Sequence, residues 1–306
     1  FLIKEKIKNK INYIPEVASH LFKAGGKRIR PMLCLACARL CNYKGLKHIN
    51  LSACIEFIHT ATLLHDDVID ESKKRRGVIT ANNIWGNKSS VLVGDFLLSK
   101  SFELMTEVEN IEVLKVLSET SSIIIEGEIS QMISNRNMST TEDEYLNIIK
   151  SKTSNLFATA AKINSYLTKS KVEYKNALDS FGMNLGTAFQ IIDDLLDYKA
   201  VEKDMGKMVG DDFKEGKITL PIILAYLRSN KAEKEFWKKT IVHLKQEKDD
   251  FHHAINIIKK YDCIADTIER ARHFANVAID SLGSFKENNY KTGLINLIQS
   301  SLDRLN

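Results

Sequence analysis

Proline is nearly absent from this chain, with 3 residues in 306, each placed where a helix could begin or a turn could fall. An interior proline removes a backbone donor and clashes with the preceding turn, so a sequence this poor in it leaves long helices uninterrupted. Long apolar runs are missing too. The nearest, Leu220 to Leu227, is far shorter than the roughly 18 residues a membrane-spanning helix needs, so no transmembrane helix is expected. No block of like charge stands out: 44 Lys and Arg are interspersed with 39 Asp and Glu, for a net charge of +5. That balance argues against a nucleic-acid partner. The 5 cysteines are odd in number and lack a signal-peptide pattern, which reads as a reduced, cytoplasmic protein rather than a disulfide framework. Cys34, Cys37 and Cys41 fall on one helical face and include a C-x-x-C pair. With no second pair or His cluster nearby, they read as small core residues. The chain opens at Phe1 without Met, so residues are expected to precede it.

What the chain does have is helical period. Apolar residues recur at spacings of three and four through Ile49 to Asp70, Val91 to Glu107, Ile111 to Ile133, Asp143 to Leu167 and Val172 to Tyr198, the pattern of amphipathic or nearly all-apolar helices. Ser139-Thr140-Thr141-Glu142-Asp143-Glu144 combines hydroxyl caps with acids in a first turn, a strong helix start. Breaks are expected at Ala24-Gly25-Gly26, Arg76-Gly77, Trp85-Gly86-Asn87 and in the polar stretch Glu202 to Lys217. None resembles a flexible linker and no short-period repeat is visible, so a single domain over 1–306 is expected.

Two aspartate clusters of the same form stand in apolar helical stretches: Asp66-Asp67-Val68-Ile69-Asp70 and Asp193-Asp194-Leu195-Leu196-Asp197. On a helix the first and last carboxylates of each lie on one face a turn apart. Carboxylates so placed repel unless a cation joins them, and oxygen-only donors with open positions suit Mg²⁺, whose shell phosphates can complete. Cations lie nearby in sequence: Lys27, Arg28 and Arg30 after the Gly25-Gly26 pair, then Arg75 and Arg76, with Lys152, Lys207 and Lys217 further along. Taken singly, such residues are mostly solvated surface. Alongside two acidic clusters they point to two phosphorylated ligands, one held through Mg²⁺ and the other directly by Arg and Lys. The stretch Val201 to Thr219, polar and following the second cluster, reads as a lid or as a solvated connection.

The segments GGKRIRP, HTATLLHDDVIDESKKRRG, GDFLLSKSFELM, FQIIDDLLDY and GDDFKEGKITLP occur in that order between about Lys23 and Leu220. Together they resemble the trans-isoprenyl diphosphate synthase (polyprenyl synthetase) family, and its long-chain branch most of all. The resemblance implies an all-α isoprenoid synthase fold, a dozen or so helices around a deep central cavity, as a homodimer. It implies repeated condensation of isopentenyl diphosphate onto an allylic diphosphate, for quinone side chains. Asp66, Asp70 and Asp193 match the family's Mg²⁺ ligands, with Asp67, Asp194 and Asp197 beside them. Lys27, Arg30, His59 and Arg76 match positions that hold isopentenyl diphosphate. Arg75, Lys152, Thr153, Gln190, Lys207 and Lys217 match positions around the allylic diphosphate and its lid.

The chemistry suits those residue types. Ionisation of the allylic C–O bond leaves negative pyrophosphate and an allylic cation, so preorganised positive charge lowers the barrier. Water must be kept out of the pocket, and no protein nucleophile is needed. Ala61 and Thr62 precede Asp66 by about one helical turn, roughly 5.4 Å; short-product relatives carry an aromatic floor there, so these small residues imply an open shaft and a long product. Bulky residues of Ile111 to Ile133 are candidates for its far end. Two other readings are a terpene cyclase, against which GGKRIRP and the second complete cluster speak, and a noncatalytic subunit, against which both intact clusters speak. A long polyprenyl product also implies transient, peripheral contact with a bilayer.

Overall fold

The computed structural model describes residues 2–168, 170–199 and 210–305. In chain order the helices are α1 (Leu2–Lys6), α2 (Tyr13–Lys23), α3 (Ile29–Leu40), α4 (Lys47–Ile69), α5 (Ala81–Trp85), α6 (Asn87–Glu107), α7 (Ile111–Ser134), α8 (Glu142–Ile149), α9 (Asn155–Lys162), α10 (Val172–Lys199), α11 (Asp211–Glu215), α12 (Leu220–Arg228), α13 (Lys231–Trp237), α14 (Asp250–Lys260), α15 (Cys263–Ser281) and α16 (Asn289–Leu302). Between α4 and α5 lies a small antiparallel hairpin, β1 (Lys74–Arg75) and β2 (Val78–Ile79), which helical periodicity did not anticipate. The fold is all-α, as expected, and among the described residues no helix is long and apolar enough to cross a membrane.

All three prolines sit in the first turn of a helix, Pro15 in α2, Pro31 in α3 and Pro221 in α12, where the missing N–H has no intrahelical partner to lose. Thr141 caps α8 as predicted: its hydroxyl accepts from the Glu144 N–H, and the Glu144 carboxylate accepts from the Thr141 N–H at 2.8 Å. The periodic stretch Asp143 to Leu167 is not one α-helix. A π turn, Lys150–Ser154, separates α8 from α9, and a 3₁₀ turn, Ile163–Tyr166, follows. A π turn preserves apolar spacing closely enough to be invisible to periodicity, and such turns often mark functional positions. Within Val201 to Thr219, residues 211–215 form α11 rather than loop, and residues 201–209 lie outside the described set.

The contacts fall into two compact units, residues 1–121 with 159–178, and residues 122–158 with 179–306. In the first, α4 lies along α6, and Leu51, Cys54, Ile55, Phe57, Ile58, Leu64 and Leu97 are buried. Gly94 of α6 makes room for the His65 ring, since a methyl there would overlap it. Cys34, Cys37 and Cys54 are core residues whose thiols burial pushes up, to about 12 for Cys34 and well above the usual thiol range for the other two. The core of the second unit gathers Ile191, Ile192, Leu195 and Tyr198 of α10, Phe213, the apolar face of α12 and Trp237. Here the α10 backbone comes very close to the π turn: a methyl on Gly186 would meet Ser154 Cα at 2.6 Å. Glycine permits that approach.

Candidate active site

The first aspartate cluster closes α4. Asp66 lies in the last helical turn and Asp70 caps it, its N–H bonding to the Asp66 carbonyl at 2.8 Å. The three side chains are not equivalent. Asp67 is fully buried and accepts from Arg75 of β1 at 2.8 Å; burial raises its carboxyl and Arg75 offsets part of the rise. Asp66 is half-buried and Asp70 exposed. The expectation that apolar neighbours bury the whole acidic face therefore holds for the middle residue alone. The hairpin is tied down around this pair: Asn82 Nδ2 donates to the Asp67 carbonyl at 3.0 Å, and the Thr80 hydroxyl to the Ser72 carbonyl at 2.6 Å.

The turn of the hairpin, Arg76-Gly77, has positive φ at both residues, 53° and 79°, the geometry of a tight two-residue connection. It presents Arg76 to the Gly25-Gly26 loop, where the guanidinium donates to the Gly25 carbonyl and occupies the space that a Cβ on Gly26 would take. Gly26 itself has φ 140°, so its freedom and its smallness are both used. Arg28, in the left-handed region ahead of α3, pairs with the buried Glu56 and donates to the Phe22 carbonyl at 2.8 Å. That makes it a strut of the loop. Arg30 Nη1 lies 3.1 Å from His59 Nε2. Burial and then the guanidinium groups of Arg30, Arg75, Arg76 and Arg28 hold His59 well below its ordinary titration range, so its ring is neutral. Four arginines, with His59 and exposed Lys27, thus share one neighbourhood of this unit. Ala61 is 2 % exposed, and Thr62 is half-buried with its hydroxyl donating to the His59 carbonyl at 2.9 Å.

In the second unit, the middle aspartate is again the buried one. Asp194 accepts from the Tyr145 hydroxyl at 2.7 Å, Gln190 Nε2 at 2.8 Å and Lys217 Nζ at 3.2 Å. Asp197 accepts the backbone N–H groups of Gly210 and Asp212 at 3.1 and 3.0 Å, anchoring the start of α11. Asp193 keeps a side chain 54 % exposed, with Arg304 Nη2 at 3.1 Å. Burial pushes Asp212 up to about 7 despite its 3.0 Å contact with Lys217, and Asp194 and Asp197 add to the rise. Burial acts against the Lys217 ammonium, but Asp194 and Asp212 hold it charged well above the usual lysine range. A cleft of about 410 Å³, including its solvent-open part, is lined by Lys152, Thr153, Gln190, Asp194, Lys217 and Tyr145 among others. Thr153 donates to Gln190 Oε1 at 2.9 Å, and Lys152 Nζ lies 2.6 Å from Glu128 of α7.

So the structure gathers Arg30, His59, Arg75 and Arg76 near Asp67 in one unit, and Lys152, Thr153, Gln190, Lys217 and the second aspartate cluster in the other. Lys207 lies outside the described residues. Reading the sequence did not reveal Tyr145, Glu128 or Asp212, each a partner of a nominated residue; only an apolar-stretch position and a Glu-Gly-Glu run marked the first two. The bulky residues of Ile111 to Ile133, nominated as a group for the far end of a shaft, divide: Leu117 and Ile124 are buried, whereas Ile125, Ile129, Met132 and Ile133 are exposed at 49–72 %. Among the described residues no group of three or more His, Cys, Asp or Glu side chains forms a ready-made metal cage. Accessible carboxylates without such a cage fit Mg²⁺, which takes one or two of them and fills its shell with water and phosphate.

An all-α fold with paired aspartate clusters and arginine-lined donors defines a class of phosphate-handling helical enzyme, and the comparisons give that class its family. The polyprenyl synthetase model matches residues 11–258. The chain is 39% identical over 302 residues to octaprenyl diphosphate synthase of Escherichia coli (strain K12), covering 99% of this chain and 93% of that one. It is 40% identical over 304 residues to the all-trans-nonaprenyl-diphosphate synthase (geranyl-diphosphate specific) of Rhodobacter capsulatus, covering 99% and 93%. A crystal structure of a decaprenyl diphosphate synthase from Rhodobacter capsulatus superimposes with a TM-score of 0.96 at 43% identity, over 100% of this chain and 94% of that one. A polyprenyl synthase from Caulobacter crescentus CB15, complexed with calcium and isoprenyl diphosphate, gives 0.95 at 41% identity, over 100% and 93%. The chain belongs to the polyprenyl synthetase family. It is a trans-prenyltransferase of the long-chain branch, with the isoprenoid synthase fold.

Proposed function

We propose that this enzyme condenses isopentenyl diphosphate repeatedly onto a farnesyl or geranylgeranyl diphosphate primer, releasing pyrophosphate each time, to make a long all-trans polyprenyl diphosphate for quinone side chains. One observation carries the reading. In each aspartate cluster the middle carboxylate is consumed by an internal network while the first stays accessible, Asp66 in one and Asp193 in the other. The Caulobacter crescentus structure, holding calcium and isoprenyl diphosphate, supports a divalent cation and a diphosphate as the paired ligands.

Asp66, Asp70 and Asp193 would hold Mg²⁺, which supplies positive charge to a departing pyrophosphate. Lys152 and Lys217, with Thr153 and Gln190, offer donors to the allylic diphosphate, and Lys207 joins them by sequence position. Lys217 is held charged by its two carboxylate neighbours, so its ammonium needs no reorganisation when negative charge develops. Arg30, Arg76 and Lys27 would bind isopentenyl diphosphate, with neutral His59 as a hydrogen-bonding partner rather than a further cation. Arg75 supports that group through Asp67. The allylic cation must meet the isopentenyl double bond before water reaches it, and the proton lost afterwards goes to the departing pyrophosphate. Small residues at Ala61 and Thr62 favour a long product. A homodimeric, cytoplasmic enzyme in one domain, touching a bilayer only to deliver product, completes the proposal.

The test is incubation of the purified protein with Mg²⁺, farnesyl diphosphate and labelled isopentenyl diphosphate, with mass spectrometry of the product. A ladder ending in a long polyprenyl diphosphate supports the reading. Cyclic hydrocarbon, or no turnover, overturns it.

A further inference from the structure

We infer that Glu128 is a positioning residue for the prenyl-transfer reaction, acting through Lys152. The inference rests on the reading above, in which Lys152 donates to the allylic diphosphate. Lys152 sits in the π turn Lys150–Ser154, and that turn is pressed against α7: a methyl on Gly127 would meet Lys152 N at 2.5 Å and Ser151 Cβ at 2.8 Å. The next residue of α7 is Glu128, whose Oε2 lies 2.6 Å from Lys152 Nζ. Both side chains are largely shielded, 15 % and 21 % exposed. Gly127 therefore brings the two backbones together, and Glu128 uses the short separation to fix one of the three donors of the ammonium. The remaining donors are left for the cleft, where Thr153, Gln190 and Lys217 also converge.

The physical reason for such a clamp is the lysine stem. Four rotatable bonds give a lysine many rotamers, and ordering them when a diphosphate arrives costs free energy that a prior carboxylate contact removes. The neighbouring acids Glu126 and Glu119 of α7 serve as controls, because both are exposed. Glu128 touches no reacting atom. Its effect should pass entirely through Lys152, and that can be measured.

The experiment is a double-mutant cycle on the full-length enzyme with Mg²⁺, using Glu128→Gln, Lys152→Ala and the pair, with kcat and both KM values determined and thermal unfolding recorded for each. Lys152→Ala is expected to lower kcat by on the order of 100-fold. Glu128→Gln keeps the shape and an acceptor but loses the charge, and should lower kcat by about tenfold, the equivalent of one charge-assisted hydrogen bond. KM for isopentenyl diphosphate should stay unchanged and Glu126→Gln should match the parent. In the Lys152→Ala background, Glu128→Gln should have no further effect. An equal loss in both backgrounds, or wild-type kcat in Glu128→Gln while Lys152→Ala is impaired, overturns the inference alone. Full activity in Lys152→Ala instead overturns the reading of Lys152 on which it rests.

Discussion

Arg75 of the hairpin donates to the fully buried Asp67 at the end of α4 at 2.8 Å, and the two residues flanking Asp67 in its cluster, Asp66 and Asp70, are left open to solvent in part or whole. Neighbouring aspartates thus do different work. Asp67→Ala should cost stability, about 2 kcal/mol, because it removes the buried acceptor of the Arg75 guanidinium and leaves a hole in the packing, while Arg75 keeps some access to water. Asp66→Asn should leave the melting temperature within a degree or two and lower kcat on the order of 100-fold. Paired melting curves and initial rates check this; equal effects of the two changes on both quantities would refute the division of roles.

Asp212 gives the second unit a pH signature of unusual sign. Burial lifts its carboxyl from 3.8 to about 7. Between those values the folded chain holds more protons than the unfolded one, so stability falls as pH rises through the window. Asn mimics the protonated acid. Asp212→Asn should therefore gain on the parent in melting temperature as pH rises from 3.8 to about 7, keep that gain above it, and converge with the parent at the acid end. A constant offset across the window would contradict the assignment.

Gly186 brings α10 against the π turn that carries Lys152 and Thr153. Gly186→Ala would force a methyl against Ser154 Cα at 2.6 Å. Backbone on both sides has little freedom to give, so a loss of about 1–3 kcal/mol is expected, together with a fall in kcat. Gly283→Ala, where no atom lies within 4 Å of the added methyl, is the matching control and should be near neutral in thermal denaturation.

Ala61→Phe should shorten the product. Because Ala61 is buried at 2 % exposure, the same change also overpacks the neighbourhood, by about 1–3 kcal/mol. Chromatography of the products against chain-length standards, at a temperature where the variant stays folded, separates the effects. An unchanged product ladder would remove Ala61 from the length-setting positions.

Helical class, helix starts such as Thr141, the breaks at Gly25-Gly26 and Gly86, and both aspartate clusters were legible in the chain itself. These features rest on local chemistry: periodic apolar burial, side chains that cap their own backbone, and glycine where φ turns positive. Which aspartate of each cluster is spent on internal bonding was not legible, because the partners Arg75, Tyr145 and Lys217 lie 8, 49 and 23 residues away. Nor could periodicity expose the π turn, which shifts register without breaking the apolar pattern, or the hairpin, only two residues to a strand. The amino-acid order determined what kinds of groups are present and which helices carry them. The tertiary packing decided which carboxylates remain accessible, that His59 stays neutral among guanidinium groups and that Glu128 meets Lys152, since each depends on distances that only the folded chain brings within reach of a hydrogen bond.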